Sequence, residues 1–168
     1  MRIETARLLL RPFVLQDLPE MTALLADPGF MAWSVAGPVG AAAARRKLEG
    51  EITSFESLGF SKLAMSLRDD PRLIGYCGLG LEVIEGRRLT ELGYRLSPAH
   101  RGCGLATEAA RAVIDDAFGR LALPELHAYA EPGNAPSHRV IARLGMTYLR
   151  DIRLHDRRWR LYRLRRPD

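Results

Sequence analysis

At 168 residues and 18.8 kDa the chain has the size of one ordinary domain, long enough to bury a core without disulfide or metal staples. Its 47% hydrophobic and 27% charged residues exclude disordered and fibrous compositions, and its longest weakly polar run, residues 30–44, is too short to span a bilayer. The formal charge of +5 comes almost wholly from arginine, since Lys47 and Lys62 are the only lysines; it suits an anionic partner but does not choose among nucleic acid, a phosphate-rich cofactor and an acidic protein.

In chain order, residues 7–13 (RLLLRPF) predict a first strand and 15–26 a helix, with Leu15, Leu18, Met21, Leu24 and Leu25 at helical spacing. Residues 40–57 predict a second helix, rich in strong helix formers and closed by Gly59. From 60 to 96 three β-like runs alternate with breaks at Asp69-Asp70-Pro71 and Glu85-Gly86, an antiparallel meander. A helix over 104–121, a strand over 126–130, a helix over 135–144 and two strands within 147–164 complete the order β-α-α-β-β-β-α-β-α-β-β. No linker, repeat or low-complexity tract divides the chain, so one α+β domain over residues 1–168 is expected. Two cysteines, Cys77 and Cys103, and an N-terminus charged at Arg2, Glu4, Arg7 and Arg11 predict a reducing, cytoplasmic setting.

The most informative segment is ELGYRLSPAHRGCGLATEA, residues 91–109, in which a strand runs through a turn with Pro98, Gly102 and Gly104 straight into a helix. A helix start carries unpaired N–H groups and a partial positive charge, so it can hold a pyrophosphate on main chain alone, and glycine lets the phosphate approach. The GxxxxGK(S/T) loop is absent because the region has no lysine. The dinucleotide pattern GxGxxG fails at Thr107 and follows a meander rather than a βαβ unit.

RGCGLA, with Arg101, Gly104 and Ala106, resembles the coenzyme A loop of the GNAT superfamily of acetyltransferases. TARLLLRPF, the Asp17-bearing helix start, LIGYCGL, the 91–109 run and NAPSHRVIARLGM resemble, in the same order, segments of its ribosomal-protein N-terminal acetyltransferase branch, and together they span nearly the whole chain. The resemblance implies a mostly antiparallel mixed sheet flanked by helices, with acetyl-coenzyme A as cofactor. The pyrophosphate would lie on the loop Gly102, Cys103, Gly104, Leu105, Ala106 and Thr107, with Arg101 as a nearby counter-charge. The pantetheine arm would pair like an added strand near Leu96, and Asn134 would hold the arm or the incoming amine. Trp33, between the first two helices, would line the acceptor pocket.

Acetyl transfer to an amine requires a neutral amine, a stabilised oxyanion and a proton for the departing thiolate. Glu91, a charge inside the apolar run TELGYRL, is the candidate base; an outward-facing or arginine-paired carboxylate is the alternative. Many family members place a tyrosine four residues before the glycine of the NAPSHRVIARLGM segment as the acid, but this chain has Ile141 there. Ser137, three residues after Asn134, is then the candidate acid, and helix capping is the alternative reading of both. Glu108 reads as favouring the helix dipole or bracing the loop. The four histidines lack paired metal-ligand spacing, so no metal is expected.

The acceptor stays open between a protein N-terminus and a small amine such as an antibiotic, a polyamine or an amino acid, and the oligomeric state is open too, a homodimer included. A non-catalytic coenzyme A sensor is a further reading. The tail RLHDRRWRLYRLRRP mixes arginines with Trp159 and Tyr162, a composition that could stack on single-stranded nucleic acid, although a terminal hairpin explains it more simply.

Overall fold

The computed structural model describes residues 1–167. Strands β1 (Ile3–Glu4) and β2 (Leu8–Arg11) precede helices α1 (Leu18–Ala26) and α2 (Ala41–Leu58). Strands β3 (Lys62–Leu67), β4 (Leu73–Ile84) and β5 (Arg87–Leu96) lead into α3 (Leu105–Gly119); β6 (Glu125–Ala130), α4 (Ala135–Arg143), β7 (Thr147–Leu154) and β8 (Arg157–Arg165) follow. The strands form one sheet in the order β1-β2-β3-β4-β5-β6-β8-β7, antiparallel throughout except between β5 and β6.

The architecture is the expected α+β fold, with three local corrections. An extra strand, β1, pairs only Ile3 with Leu10 and Glu4 with Leu9, too short for any hydrophobic period to announce it. The ladder of β2 ends at Arg11 because Pro12 cannot donate a strand hydrogen bond. Leu15–Asp17 form a 3₁₀ turn rather than the first turn of α1, which leaves Leu15 57% exposed while Met21 and Leu25 are buried. That turn is held by Arg11, whose two terminal nitrogens donate to the two Asp17 oxygens at 2.8 and 2.7 Å. α2 ends as its sequence predicts, on Gly59 in the left-handed region at φ +76°, with its N–H on the Phe55 carbonyl.

Alternation along the strands gives the sheet two apolar faces. Leu63, Met65, Cys77, Leu79, Leu92 and Leu96 pack under Ala109, Ala110, Val113 and Ala117 of α3, where small residues let the helix lie close. On the opposite face Ala64 and Tyr76 meet Met21 and Leu25 of α1 and Ala44 and Leu48 of α2. Each fully buried leucine contributes about 2 kcal/mol relative to exposure, so both helical layers are fixed to the central strands.

The feature that positions the site is the join between β5 and β6. β5 is registered to β4 at ten consecutive positions, from Arg87 with Ile84 to Leu96 with Gly75, but to β6 at one, Glu91 with His127. Beyond Glu91 the two parallel strands part. The β6-facing edge of β5 from Leu92 to Leu96 then has no strand to pair with, and that fork points toward the glycine loop before α3.

Candidate active site

The loop between β5 and α3 takes its shape from two glycines. Gly102 and Gly104 sit at φ +82° and +86°, a region closed to most side chains, and a Cβ at Gly102 would meet nothing within 4 Å. From Gly102 to Thr107 no main-chain N–H finds an acceptor among the described residues; the next one, Glu108, donates to the Gly104 carbonyl at 3.0 Å. The Thr107 hydroxyl is buried without a partner in this same turn. Six free amides, an orphaned hydroxyl and the positive end of a 15-residue helix fit a diphosphate.

The loop is braced from behind. Glu108 accepts from the Thr5 hydroxyl at 2.6 Å, from the Arg7 amide at 2.9 Å and from Arg7 Nε at 2.7 Å, while Arg7 Nη1 donates to the Cys103 carbonyl at 2.9 Å. Desolvation pushes the Glu108 carboxyl up, but the donors from Thr5 and Arg7 and the guanidinium charge outweigh it and hold the pKa below the ordinary value. Arg101 lies beside the loop, with Nε on the Leu96 carbonyl at 3.0 Å and Nη2 on the Gly29 carbonyl at 2.9 Å. It therefore ties the loop to the end of β5 and to the α1–α2 segment. Leu96 and Leu105 point their side chains into the core, so only their main chain faces a ligand.

Glu91 lies on the face that carries α1 and α2, since it alternates with Gly93 and Arg95, and Arg95 stands opposite Tyr76. Its carboxylate forms a short ion pair with Lys62 Nζ, and both side chains are 13% exposed. The partner is a lysine rather than an arginine. Gly78, Gly80 and Gly93 form the floor beneath the pair: a Cβ at Gly93 would stand 2.5 Å from Glu91 Oε1 and 2.8 Å from Lys62 Nζ. Glu82, farther along β4, has no ion-pair partner among the described residues; burial, then the charge of Glu91, pushes its pKa up. The Tyr129 hydroxyl stands beside Glu82 and is pushed up by burial and both carboxylates. Arg95 donates to the Tyr76 hydroxyl at 3.0 Å and to the Phe30 carbonyl at 3.2 Å, which fixes the segment that leads to Trp33, 39% exposed.

On the other side of the fork, Asn134 caps α4: its side-chain oxygen accepts from the Ser137 amide at 3.2 Å. The carboxamide nitrogen has no protein partner among the described residues. Ser137 is partly exposed in the first turn, and Tyr94 of β5 reaches its carbonyl at 3.4 Å. Ile141 is 2% exposed and belongs to the core.

The structure thus gathers residues 101–107, Leu96, Asn134 and Ser137 around one end of the fork and Glu91 on the side that carries α1 and α2. Lys62, Glu82, Tyr94, Tyr129 and the brace of Thr5 and Arg7 are residues that the sequence did not single out. Only Lys62 had a signal, as one of two lysines in an arginine-rich chain. The tail does not suit base stacking: Trp159 is buried, donates to the Leu154 carbonyl at 2.8 Å and packs on Tyr129, while Arg157 pairs with Glu131 and Arg158 with Asp151. No helix among the described residues is long and apolar enough to cross a membrane.

Comparison with known proteins agrees with this geometry. Residues 7–147 match the family described as acetyltransferase (GNAT) domain. The uncharacterized N-acetyltransferase YnaD of Bacillus subtilis is 30% identical over 146 residues, 87% of this chain and 82% of that protein. YkkB of the same organism is 39% identical over 80 residues, and that match spans 48% of this chain and 46% of YkkB. Among solved structures, an acetyltransferase from Agrobacterium tumefaciens superimposes with a TM-score of 0.82 at 30% identity, covering 98% of this chain and 94% of that one. RimL, a ribosomal L7/L12 acetyltransferase solved with coenzyme A, shares the fold at 16% identity with a TM-score of 0.82 over 98% of each chain.

The brace predicts a pH signature. A carboxylate whose folded pKa is depressed stabilises fully above its unfolded value, about 4.3, and loses that contribution as pH falls through the folded value. Glu108→Gln is expected to cost about 1 kcal/mol at pH 7, a modest figure because Arg7 is half exposed, with the deficit closing below about pH 4. Urea unfolding of both proteins at the two pH values checks it.

Proposed function

The chain belongs to the GNAT family of acetyltransferases, and from that premise we propose that it acetylates a primary amine, first among candidates a protein N-terminal α-amine, with Glu91 as base and Ser137 as acid. It is an acetyl-coenzyme A-dependent N-acetyltransferase. When bound, acetyl-coenzyme A supplies an acyl group already activated as a thioester. The observation that carries the proposal is the run of six partnerless amides opening directly onto the unpaired edge of β5.

The loop amides of Gly102 to Thr107 and the Thr107 hydroxyl would hold the diphosphate, and the free edge of β5 up to Leu96 would take the arm as an added strand. Asn134, with its oxygen committed to the cap, offers its amide nitrogen to the same groove. Arg101 works from the side, holding loop, strand end and acceptor segment in one geometry. A ligand on the loop that follows the β5 edge arrives at Glu91, where the strands rejoin.

At that point the chain must remove a proton from an ammonium of pKa near 10. Glu91 is the carboxylate at the fork, and Lys62 fixes its direction from the far side of the glycine floor. It receives the proton directly or through one water. Ser137, in the first turn of α4, presents a hydroxyl able to donate to the sulfur as the C–S bond breaks; its proton is replaced from solvent. The protein N-terminus is favoured by the sequence resemblance to the ribosomal-protein branch and by the fold shared with RimL. Exposed Trp33 and Val35, beside the Arg95-anchored segment, offer apolar contact for a peptide's first side chains.

Thiol release measured with acetyl-coenzyme A against short peptides with free N-termini and against small amines separates the acceptors. Turnover confined to small amines would remove the N-terminal reading. Glu91→Gln is expected to leave acetyl-coenzyme A affinity intact and to lower kcat roughly 10- to 100-fold, most at low pH where more of the amine is protonated. An unchanged rate at every pH takes Glu91 out of the mechanism.

A further inference from the structure

α4 carries no tyrosine at all: its sequence is APSHRVIAR, and the position where a phenol would stand for the leaving thiolate is filled by Ile141, buried in the core. β5 brings a phenol to the first turn of the same helix by another route. Tyr94 stands opposite Cys77 of β4, on the α3-facing side of the sheet with Leu92 and Leu96. It lies on the part of β5 that has parted from β6. From there the side chain reaches over to the first turn of α4, so the ring spans the mouth of the fork on that side. A ligand lying along β5 between the glycine loop and Glu91 would run beside Tyr94.

We propose that the Tyr94 hydroxyl is a hydrogen-bond donor to the sulfur that leaves in the reaction, a role for which α4 itself carries no phenol. The inference rests on the acetyltransferase reading above. It adds a second donor beside Ser137.

The other tyrosines are committed elsewhere. Tyr76 accepts from Arg95, Tyr129 stands beside Glu82, Tyr148 donates to Asp151 at 3.1 Å, and Tyr162 shares a hydrogen bond with His138 at 2.9 Å. Tyr94 has only the Ser137 carbonyl at 3.4 Å, a long bond that a charged acceptor would displace. Burial pushes the phenol up to about 12, so it stays protonated over the working range and remains a donor. As the C–S bond breaks, its electron pair stays on sulfur and Tyr94 stabilises that charge through its O–H while keeping its proton. The proton that finally converts thiolate to thiol comes from Ser137 or solvent.

The test needs no acceptor amine. The thiol of coenzyme A bound to the protein is titrated by its ultraviolet thiolate absorbance, as a difference spectrum against the complex with desulfo-coenzyme A. In wild type the bound thiol should titrate about one pH unit below its value in Tyr94→Phe, roughly a tenfold change in ionisation, with coenzyme A affinity unchanged within about threefold. 3-Fluorotyrosine at position 94, of nearly the same shape but more acidic, should lower it further, and this keeps the test sound if the phenylalanine variant folds poorly. Equal thiol values in wild type, phenylalanine and fluorotyrosine proteins overturn the proposal and leave Tyr94 as packing. If wild type binds neither coenzyme A nor its desulfo form, the cofactor reading itself has failed, and the proposal with it.

Discussion

One registered pair, Glu91 with His127, is the whole hydrogen-bonded ladder between β5 and β6, and the site follows from what that pair permits. A parallel ladder continued past it would satisfy the edge of β5 with protein and close the fork. Because the ladder stops, five residues of strand edge are left without a strand partner among the described residues, on a line that starts at the glycine loop. The cost of leaving main-chain groups without a protein partner is bearable only where water or a bound arm can replace one. The rest of the structure keeps that opening in shape. β4 holds β5 from the other side at ten positions, and Arg101 clamps the strand's last carbonyl while the Glu108–Arg7 brace fixes the loop.

The two faces of the fork divide the chemistry. On the face of α3 and α4 lie the amides of the loop, the Asn134 cap, Ser137 and Tyr94, groups able to donate hydrogen bonds. On the face of α1 and α2 lie Glu91, Glu82 and Tyr129, two carboxylates and a phenol that both carboxylates push up. A sheet separates them, so each set can be arranged without disturbing the other. Lys62 crosses into the acidic set and neutralises one carboxylate, which leaves Glu82 as the carboxylate there without an ion-pair partner among the described residues. The chain is basic as a whole, and on this face Lys62 and Arg95 stand among Glu91, Glu82 and Tyr129.

The loop was legible in the sequence because its properties are local: two glycines with positive φ and a helix start whose amides lack partners depend on six neighbouring residues. Helix α2 and its Gly59 cap were legible for the same reason. The Glu91–Lys62 pair joins residues 29 positions apart and could not be read without strand register, so the sequence offered only an unspecified arginine as an alternative partner. The fork depends on where two distant strands stop pairing, which no periodicity encodes, and Tyr94 gains its place only through that fork. Leu15 fits a helical pattern but is exposed, since the Arg11–Asp17 pair and Pro19 impose a turn before α1 begins. Trp159 could be read as a stacking platform, although a terminal hairpin explains the tail more simply; its burial, its bond to the Leu154 carbonyl and its edge contact with Tyr129 show it to be core.

Amide-resolved hydrogen exchange with and without acetyl-coenzyme A tests the central claim most directly, because the claim concerns particular main-chain N–H groups. The account predicts that the cofactor slows exchange at Gly102 to Thr107 and along Leu92 to Leu96, with little change on β7 and β8. Tight binding that left those two segments exchanging as before would contradict it.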